Sequence, residues 1–205
     1  MKMKIDEIII YSLTVVYIVF TLFYLRKLRF DIKKAAAAGM MVAATVVLNI
    51  IRIPLPTGAT MGLVSVLPIM LISLIYDARL GIVTGLISAV VLPLLVPAWV
   101  PIHPMQFFVE HIVSLSCLGY AGIFGTKNRG KMLAACFIAL FIKMLSHFAS
   151  GIIFFSQNAP DGWGAYFYSF VYNLSSVGVE GVLSIIVIML LPFERIKKVV
   201  LREGK

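Results

Sequence analysis

The sequence predicts an all-α polytopic membrane protein, and three observations support that prediction. Of the 205 residues, 61% are hydrophobic and only 13% are charged, with a mean hydropathy of +1.02. A soluble domain of this length could not cover so much apolar surface. Seven apolar runs recur along the chain, and the basic residues cluster at their ends. Because that clustering is the positive-inside pattern, the net charge of +9 does not indicate a nucleic-acid partner.

The first apolar run is predicted to be a retained transmembrane helix. Asp6 and Glu7 precede it, Arg26 and Lys27 follow it, and no small-residue cleavage site is present, so it is not a signal peptide. The seven predicted spans have these approximate bounds: Ile8–Leu25, Ala35–Ile51, Leu63–Tyr76, Leu80–Val96, Phe107–Phe124, Met132–Phe155 and Ala165–Leu191.

The basic residues predict the topology. Of the loops on one side of the membrane, only one carries a basic residue, Arg52. The other side holds all of the following: Arg26, Lys27, Arg29, Lys33, Lys34, Arg79, Lys127, Arg129, Lys131, Arg195, Lys197, Lys198, Arg202 and Lys205. We therefore predict a multi-pass protein of the cell (plasma) membrane with a cytoplasmic C-terminus and, given seven spans, an N-terminus outside.

The loops predicted to face outward are rich in Pro and Gly rather than in ordinary polar residues. They cover residues 52–62, 96–106 and 156–164, and two of them carry a tryptophan, Trp99 and Trp163. Such loops can fold as a lid over the ends of helices. Alternatively, the tryptophans act only as anchors at the membrane interface.

Polar and ionisable residues interrupt the later spans and indicate a small-molecule pocket. Glu110, Lys143, His147, Asn173 and Glu180 stand where a lipid-embedded helix would favour Leu, and such residues usually face a cavity. Lys143 and His147 are four residues apart and share a helix face. If that face looks toward Glu110, the protein supplies both an anion and its counter-charge. The alternative is a structural ion pair that joins two helices.

The last span carries a second group of candidates. Asn173 and Glu180 are seven residues apart and therefore lie on one helix face. An Asn side chain both donates and accepts hydrogen bonds, which suits a heterocycle with an amino group and a ring nitrogen. Tyr168 and Tyr172 could stack on such a ring or simply pack in the bundle.

Other functional classes lack support in the sequence. His103, His111 and His147 could in principle hold a metal with Glu110, but no H-E-x-x-H occurs. No nucleophile motif and no Walker A loop is present. We therefore predict no enzyme activity, no metal site and no cofactor.

A stripe of small residues marks the second span. Ala35, Gly39 and Ala43 recur every four residues, and in lipid such stripes allow another helix to approach closely. The partner helix could belong to this chain or to a separate membrane protein.

With these residues in place, the chain resembles the thiamine-specific S components, the substrate-binding subunits of energy-coupling-factor (ECF) vitamin transporters. The similarity covers roughly residues 35 to 192. Its motifs are L-P-T-G-A-T-M-G-L-V-S-V-L-P-I, H-P-M-Q-F-F-V-E-H, and the long run from His147 to Asn173 followed by Glu180.

The resemblance implies a six-helix bundle with an outward-facing pocket for thiamine, here with one extra N-terminal transmembrane helix. It also implies a membrane scaffold subunit and two cytosolic ATPase subunits as partners, with the stripe Ala35, Gly39 and Ala43 at the scaffold. The predicted substrate-binding residues are Glu110, His111, Lys143, His147, Phe155, Trp163, Tyr168, Asn173 and Glu180. The implied parts are residues 1–34 (extra helix and basic linker), 35–192 (binding domain) and 193–205 (basic cytoplasmic tail).

The chain departs from the family pattern in three places. His111 replaces the usual aromatic residue after the pocket carboxylate, Phe155 replaces a tryptophan that stacks on the ligand, and the N-terminal span is additional. Three alternatives therefore stay open. The ligand could be another small heterocycle such as a thiamine precursor, the protein could be an intramembrane enzyme using Glu110 and His147, or its polar residues could only join helices.

Overall fold

The computed structural model describes residues 5–202 of the chain. Within this range the chain forms eight helices and one small sheet, which confirms the all-α polytopic class. The helices are α1 (Ile5–Leu25), α2 (Ile32–Ile50), α3 (Leu67–Ile75), α4 (Ala78–Leu95), α5 (residues 104–122), α6 (Arg129–Phe154), α7 (Ala165–Leu190) and α8 (Phe193–Arg202). Strands β1 (Arg52–Pro54) and β2 (Thr60–Gly62) form an antiparallel hairpin.

Five helices in the described range are long and apolar enough to cross a membrane: α1, α2, α4, α6 and α7. The predicted third span is wrong in its start, because α3 begins at Leu67 rather than Leu63. Its nine residues extend about 14 Å, less than half of a bilayer's hydrocarbon core. The residues between β2 and α3, 63–66, form a turn instead. They belong to an apolar run, which is why the sequence predicts helix there.

Helices α5 and α7 change their pitch along their length. Helix α5 passes from an α turn into a π-helical segment, Phe107–Ile112, and ends in a 3₁₀ segment, Cys117–Gly122. Helix α7 contains a π-helical segment at Leu174–Gly178. Such π turns are rare and often occur at functional sites. Here one contains Glu110 and the other directly follows Asn173.

Three polar side chains fix the starts of α2, α4 and α6. Asp31, Asp77 and Asn128 each have an extended backbone and accept a hydrogen bond from the backbone N–H three residues later, at 2.8, 3.0 and 3.0 Å. Because these caps satisfy backbone groups that the helix leaves unpaired, they define where each helix begins.

Helices α3, α4 and α5 approach each other closely through glycines. Gly81 and Gly85 of α4 face α5, where Gly119 lies against α4 and Gly122 lies against Ser73 of α3. A methyl group at Gly85 would meet the backbone of Leu115. These contacts place the most buried part of the core, including Ile69, Met70, Leu74, Leu92 and Leu118, between the same helices.

The additional N-terminal helix lies against α5. Only Thr14 and Thr21 of its residues are buried. The Tyr17 hydroxyl lies 2.8 Å from Ser116 Oγ, and Thr21 Oγ1 lies 3.1 Å from the Tyr120 hydroxyl. Most of α1 therefore presents apolar side chains away from the protein, as a helix in contact with lipid does.

The hairpin between α2 and α3 lies across one end of the bundle. Its register pairs Arg52 with Gly62 and Ile53 with Met61, and Gly58 provides the positive φ of 79° at its turn. At its tip, Thr57 Oγ1 lies 2.8 Å from Ser175 Oγ of α7.

The segment predicted as a basic tail is a helix over its described part. Helix α8 packs Phe193 into the core of the bundle. Residues 203–205 of the predicted tail and residues 1–4 of the predicted N-terminal part lie outside the described residues.

Candidate functional site

A cavity of about 400 Å³ lies beneath the hairpin, between α5, α6 and α7. Eight of the nine predicted binding residues line it. Its principal polar and aromatic lining residues are Asn49, Arg52, Trp99, Gln106, Glu110, His111, Lys143, His147, Phe155, Asn158, Tyr168, Tyr172, Asn173 and Glu180. Volumes of this order suit a small organic ligand.

Glu110 is held by three polar side chains. Its Oε2 accepts hydrogen bonds from Gln106 Nε2 at 2.8 Å and from Ser150 Oγ at 2.5 Å. Its Oε1 lies 3.4 Å from His147 Nδ1. Because hydrogen bonds to a carboxylate favour its charged form, the site presents a fixed anion inside the bundle.

A chain of contacts leads from Glu110 to a buried cation. His147 Nε2 lies 3.1 Å from Lys143 Nζ, so one imidazole lies between the carboxylate and the ammonium group. The tautomer that satisfies both contacts is neutral: Nδ1–H donates to Glu110, and Nε2 accepts from Lys143. Lys143 is only 2% exposed. Its ammonium group contacts His147 and forms no direct ion pair with Glu110.

Trp99 is the central aromatic residue of this network, and sequence reasoning did not select it as a binding residue. Lys143 Nζ lies over its ring, 5.6 Å from the centroid, and the ring of His111 meets it edge-on at 5.2 Å. Its Nε1 donates to Asn49 Oδ1 at 3.1 Å. The indole is thereby fixed as one wall of the cavity.

His111 is buried beside this wall. Its Nε2 donates to the backbone carbonyl of Trp99 at 2.6 Å. Its Nδ1 has no hydrogen-bond partner among the residues that the structure describes. An unpaired buried acceptor is costly in a well-packed core. Because His111 lines the cavity, a ligand there could donate a hydrogen bond to Nδ1.

Asn173 of α7 also lines the cavity. It is 6% exposed, and its Nδ2 donates to Ser169 O at 2.8 Å and lies 3.3 Å from His147 O. Within residues 5–202 no donor reaches its Oδ1. The amide is thus oriented by its donor side, and its acceptor is free for a ligand.

Glu180 holds the turn between β2 and α3 to α7. Its Oε1 accepts from both the backbone N–H and the hydroxyl of Ser65, each at 2.6 Å. Val64, the residue before Ser65, has a backbone φ of 49°, which a β-branched residue rarely adopts. Glu180 therefore stabilises a strained turn, and this role was not predicted from the sequence.

The predicted aromatic residues divide into two groups. Phe155 and Tyr168 line the cavity, and Tyr168 lies 5.6 Å from the ring of Tyr172. Trp163 does not line it: the side chain is 40% exposed and packs on Phe167 at 4.7 Å. The structure therefore brings Trp99, not Trp163, to the other predicted residues.

The supporting residues around Glu110 could have been found by helix spacing. Gln106 precedes Glu110 by four residues, and Ser150 follows His147 by three, so each lies next to a predicted residue on a helix face. Asn49 and Trp99 had no such signal, because they come from different elements.

The predicted small-residue stripe lies on the outer face of α2. Ala35, Gly39 and Ala43 are all exposed, and a methyl group at Gly39 would meet nothing within 4 Å. The opposite face of the helix, with Ala38 and Thr45, is buried in the bundle. The stripe is therefore not used for packing within the described chain.

Chemically, the cavity combines a fixed carboxylate, aromatic walls and a free amide acceptor. This set can hold an organic cation that also carries a polar heterocycle. No group of three metal-ligating side chains occurs among residues 5–202.

Two curated proteins are similar to this chain. The Thiamine transporter ThiT of Bacillus subtilis (strain 168) is 29% identical over 168 residues, which cover 75% of this chain and 86% of that protein. The Thiamine transporter ThiT of Lacticaseibacillus paracasei is 27% identical over 116 residues, 51% of this chain and 58% of that protein.

A solved structure has the same fold. The structure of ThiT from Listeria monocytogenes matches with a TM-score of 0.62 at 22% identity, covering 76% of this chain and 93% of that one. The family model described as Thiamine transporter protein (Thia_YuaJ) matches residues 35–200. That match leaves out α1 and includes every element around the cavity. The chain therefore belongs to the Thiamine transporter protein family, which is a family of transporters and not of enzymes.

Proposed function

We propose that the chain is the membrane-embedded substrate-binding subunit of a thiamine uptake system. The observation that carries this proposal is the pairing of a fixed carboxylate, Glu110, with a free amide acceptor, Asn173, across one aromatic-walled cavity. Thiamine joins a cationic thiazolium to an aminopyrimidine, so it needs both groups at once. The similar proteins named as thiamine transporters point to the same ligand.

Glu110 would bind the cationic ring. In the free protein its charge is balanced through His147 by Lys143, and the intervening imidazole is neutral in the tautomer given above. The carboxylate is therefore ionised, makes no direct ion pair with Lys143, and can contact a cationic ligand. A cation over an aromatic face in a water-poor site gains on the order of 2 kcal/mol, a contribution that Phe155 or Tyr168 could supply.

The pyrimidine would be recognised by the remaining polar atoms. Its exocyclic amino group can donate to Asn173 Oδ1, and the buried Nδ1 of His111 offers a second acceptor at the cavity edge. Such readout is selective because an analogue that lacks the donor leaves buried acceptors unpaired.

The hairpin would close the cavity over the ligand. It contributes Arg52, Thr60 and Met61 to the lining. Thr57 in its turn contacts Ser175 of α7, and Ser65, in the turn that follows β2, donates to Glu180 of α7. Breaking this small set of polar contacts would open a path from the aqueous side.

The distribution of basic residues supports one orientation of the protein in the membrane. The basic residues at the start of α6 favour the cytoplasmic side, and His147 lies 18 residues further along, about 27 Å away. The cavity would then open toward the outside, with the C-terminus in the cytoplasm and the N-terminus outside. The binding unit would be residues 35–192, since every lining residue falls between Asn49 and Glu180.

Uptake would be energised by partners, an ECF scaffold subunit in the membrane and two cytosolic ATPase subunits. The exposed stripe of Ala35, Gly39 and Ala43 would meet the scaffold, because a smooth outer face allows close helix contact in lipid. Co-purification with co-expressed scaffold and ATPases tests this. We expect Ala43→Leu to abolish it and Ala134→Leu, which adds the same bulk to the exposed face of α6, to leave it intact.

The ligand is tested by titrating the purified protein with thiamine and following tryptophan fluorescence. We expect saturable, submicromolar binding. The separate pyrimidine and thiazole halves should each bind more weakly, since each engages only one side of the cavity. No thiamine binding by a folded sample would exclude thiamine as the ligand, and tight binding of the pyrimidine half alone would identify a precursor instead.

A further inference from the structure

A second cavity lies at the opposite end of the bundle, where vitamin binding does not use it. It has a volume of about 650 Å³ and is bounded by the start of α6, the end of α7 and helix α8. Arg129 at its rim and Lys143 in the first cavity are 14 residues apart on α6, or about 21 Å. The two cavities are therefore separate sites.

The lining of this cavity has an apolar and a basic side. The basic side chains are those of Arg129, Arg195 and Lys198. The apolar side consists of Met132, Leu133, Ile188, Met189, Leu191, Pro192 and Phe193. A free, hydrated anion would not require an apolar wall. An amphipathic ligand would, because its apolar part needs a surface to bind.

The three basic side chains form no ion pair with any residue in the described part of the chain. The one carboxylate of the lining, Glu194, also forms no ion pair within that part of the chain. The lining therefore carries three cations against one carboxylate, and this net positive charge favours an anion between the three cations.

The position of the cavity matches the depth of lipid headgroups. Helix α6 begins at Arg129 and α7 ends at Leu190, so the cavity lies where two membrane spans reach the interface. The first residues of α6 and α8, Arg129 and Phe193, line it, so the partial positive charge of both helix N-termini lies at the cavity. Met189 and Leu190 are 51% and 79% exposed and lead from the cavity onto the lipid-facing surface.

We propose that this cavity binds the phosphate of an anionic phospholipid, with Arg129, Arg195 and Lys198 around the phosphate and the acyl chains along Met189 and Leu190. Basic pockets beside transmembrane helices bind such headgroups by charge, and here the apolar wall adds a place for the chains. A lipid fits better than a partner protein because the surface continuing from the cavity is the apolar face of a membrane span.

The test is a titration of the delipidated full-length protein in neutral detergent with phosphatidylglycerol, with bound lipid counted by native mass spectrometry. Phosphatidylcholine and inorganic phosphate serve as parallel probes. The cavity variant is Arg129→Gln/Arg195→Gln/Lys198→Gln. The matched control is Lys127→Gln/Lys131→Gln/Lys197→Gln, which removes the same charge from the same end of the molecule but from residues outside the lining.

We expect saturable binding of phosphatidylglycerol over phosphatidylcholine. Loss of about fivefold in affinity for each basic residue predicts a decrease on the order of 100-fold in the cavity variant and little change in the control. Circular dichroism and size exclusion report folding independently of any ligand.

Three results would overturn the proposal. Equal loss in both variants would show diffuse surface charge, and equal binding of inorganic phosphate would show a site for free anions. A cavity variant that binds lipid normally but no longer co-purifies with transport partners would assign this surface to a protein.

Discussion

Two regions of this molecule place polar groups inside apolar helices, and they do so in different ways. Around Glu110, charged side chains converge on a cavity and leave acceptor atoms unused, notably Asn173 Oδ1. Between α1 and α5 the polar groups are neutral hydroxyls that satisfy each other in pairs, Tyr17 with Ser116 and Thr21 with Tyr120.

The difference separates binding from packing. In a bilayer a hydroxyl gains from a partner on another helix whether or not a ligand exists, so satisfied neutral pairs indicate helix association. A buried carboxylate with a cation nearby and free acceptors in the same cavity is costly unless something else fills the space. Substitutions in the cavity should therefore change affinity, and those in the α1–α5 contact should change stability alone.

The largest effect is expected for Glu110→Gln. The substitution keeps the shape and removes the only carboxylate held by Gln106, Ser150 and His147 together. Removing one partner of a buried charge pair costs about 2 to 5 kcal/mol, so thiamine affinity should fall by on the order of 100-fold. Titration with thiamine, followed by tryptophan fluorescence, measures this loss of affinity.

Glu194→Gln is the control for Glu110→Gln, because Glu194 is an exposed carboxylate far from the vitamin cavity. It should bind thiamine as the unchanged protein does. If Glu110→Gln also keeps its affinity for thiamine, the carboxylate does not contact the cationic ring. The distinction between binding around Glu110 and packing between α1 and α5 would then be wrong.

A smaller loss is expected for Asn173→Ala. Without the amide, the pyrimidine amino group has lost an acceptor in a buried site, which costs about 1 to 3 kcal/mol, or roughly 5- to 150-fold in affinity. The pyrimidine half of thiamine should lose affinity in parallel and the thiazole half should not, as competition titrations can show. Gln157→Ala, which removes an exposed amide, is the control and should change neither.

The sequence predicted most of the cavity because charge in a lipid-facing helix is conspicuous. Glu110, Lys143, His147 and Asn173 all interrupt apolar runs, and all four line one cavity. The resemblance to a known family supplied Phe155 and Tyr168, which composition could not distinguish from packing residues.

What the sequence could not supply depends on tertiary placement. Trp99 and Trp163 both occur in Pro- or Gly-rich loops, and only the fold decides that Trp99 turns inward. The predicted start of α3 is wrong because the apolar turn at residues 63–66 resembles the beginning of a helix. The π turns near Glu110 and Asn173 follow no residue pattern that the sequence analysis could use.

The two tryptophans allow a sharper test of where the ligand lies. Trp99 lines the cavity, whereas Trp163 packs outside it on Phe167. Quenching by thiamine should therefore disappear in Trp99→Phe and persist in Trp163→Phe. Affinity, measured by calorimetry, should fall by about fivefold or less in Trp99→Phe because Phe keeps an aromatic wall. If quenching is instead lost in Trp163→Phe, the ligand lies beneath the loop of residues 156–164.

The smallest effect is expected at the α1–α5 contact, where Thr21→Val removes one hydroxyl without changing shape. Interhelical hydrogen bonds in membranes contribute about 0.6 kcal/mol on average, and the free energy of unfolding in mixed micelles should fall by about that much. A double-mutant cycle with Tyr120→Phe isolates the pair, and Ser12→Ala on the exposed face of α1 is the control. Thiamine affinity should not change in any of these variants, because no residue of α1 lines the cavity. A loss of affinity in Thr21→Val alone would mean that α1 acts on Glu110 through α5, and the separation between packing and binding would then not hold for this helix.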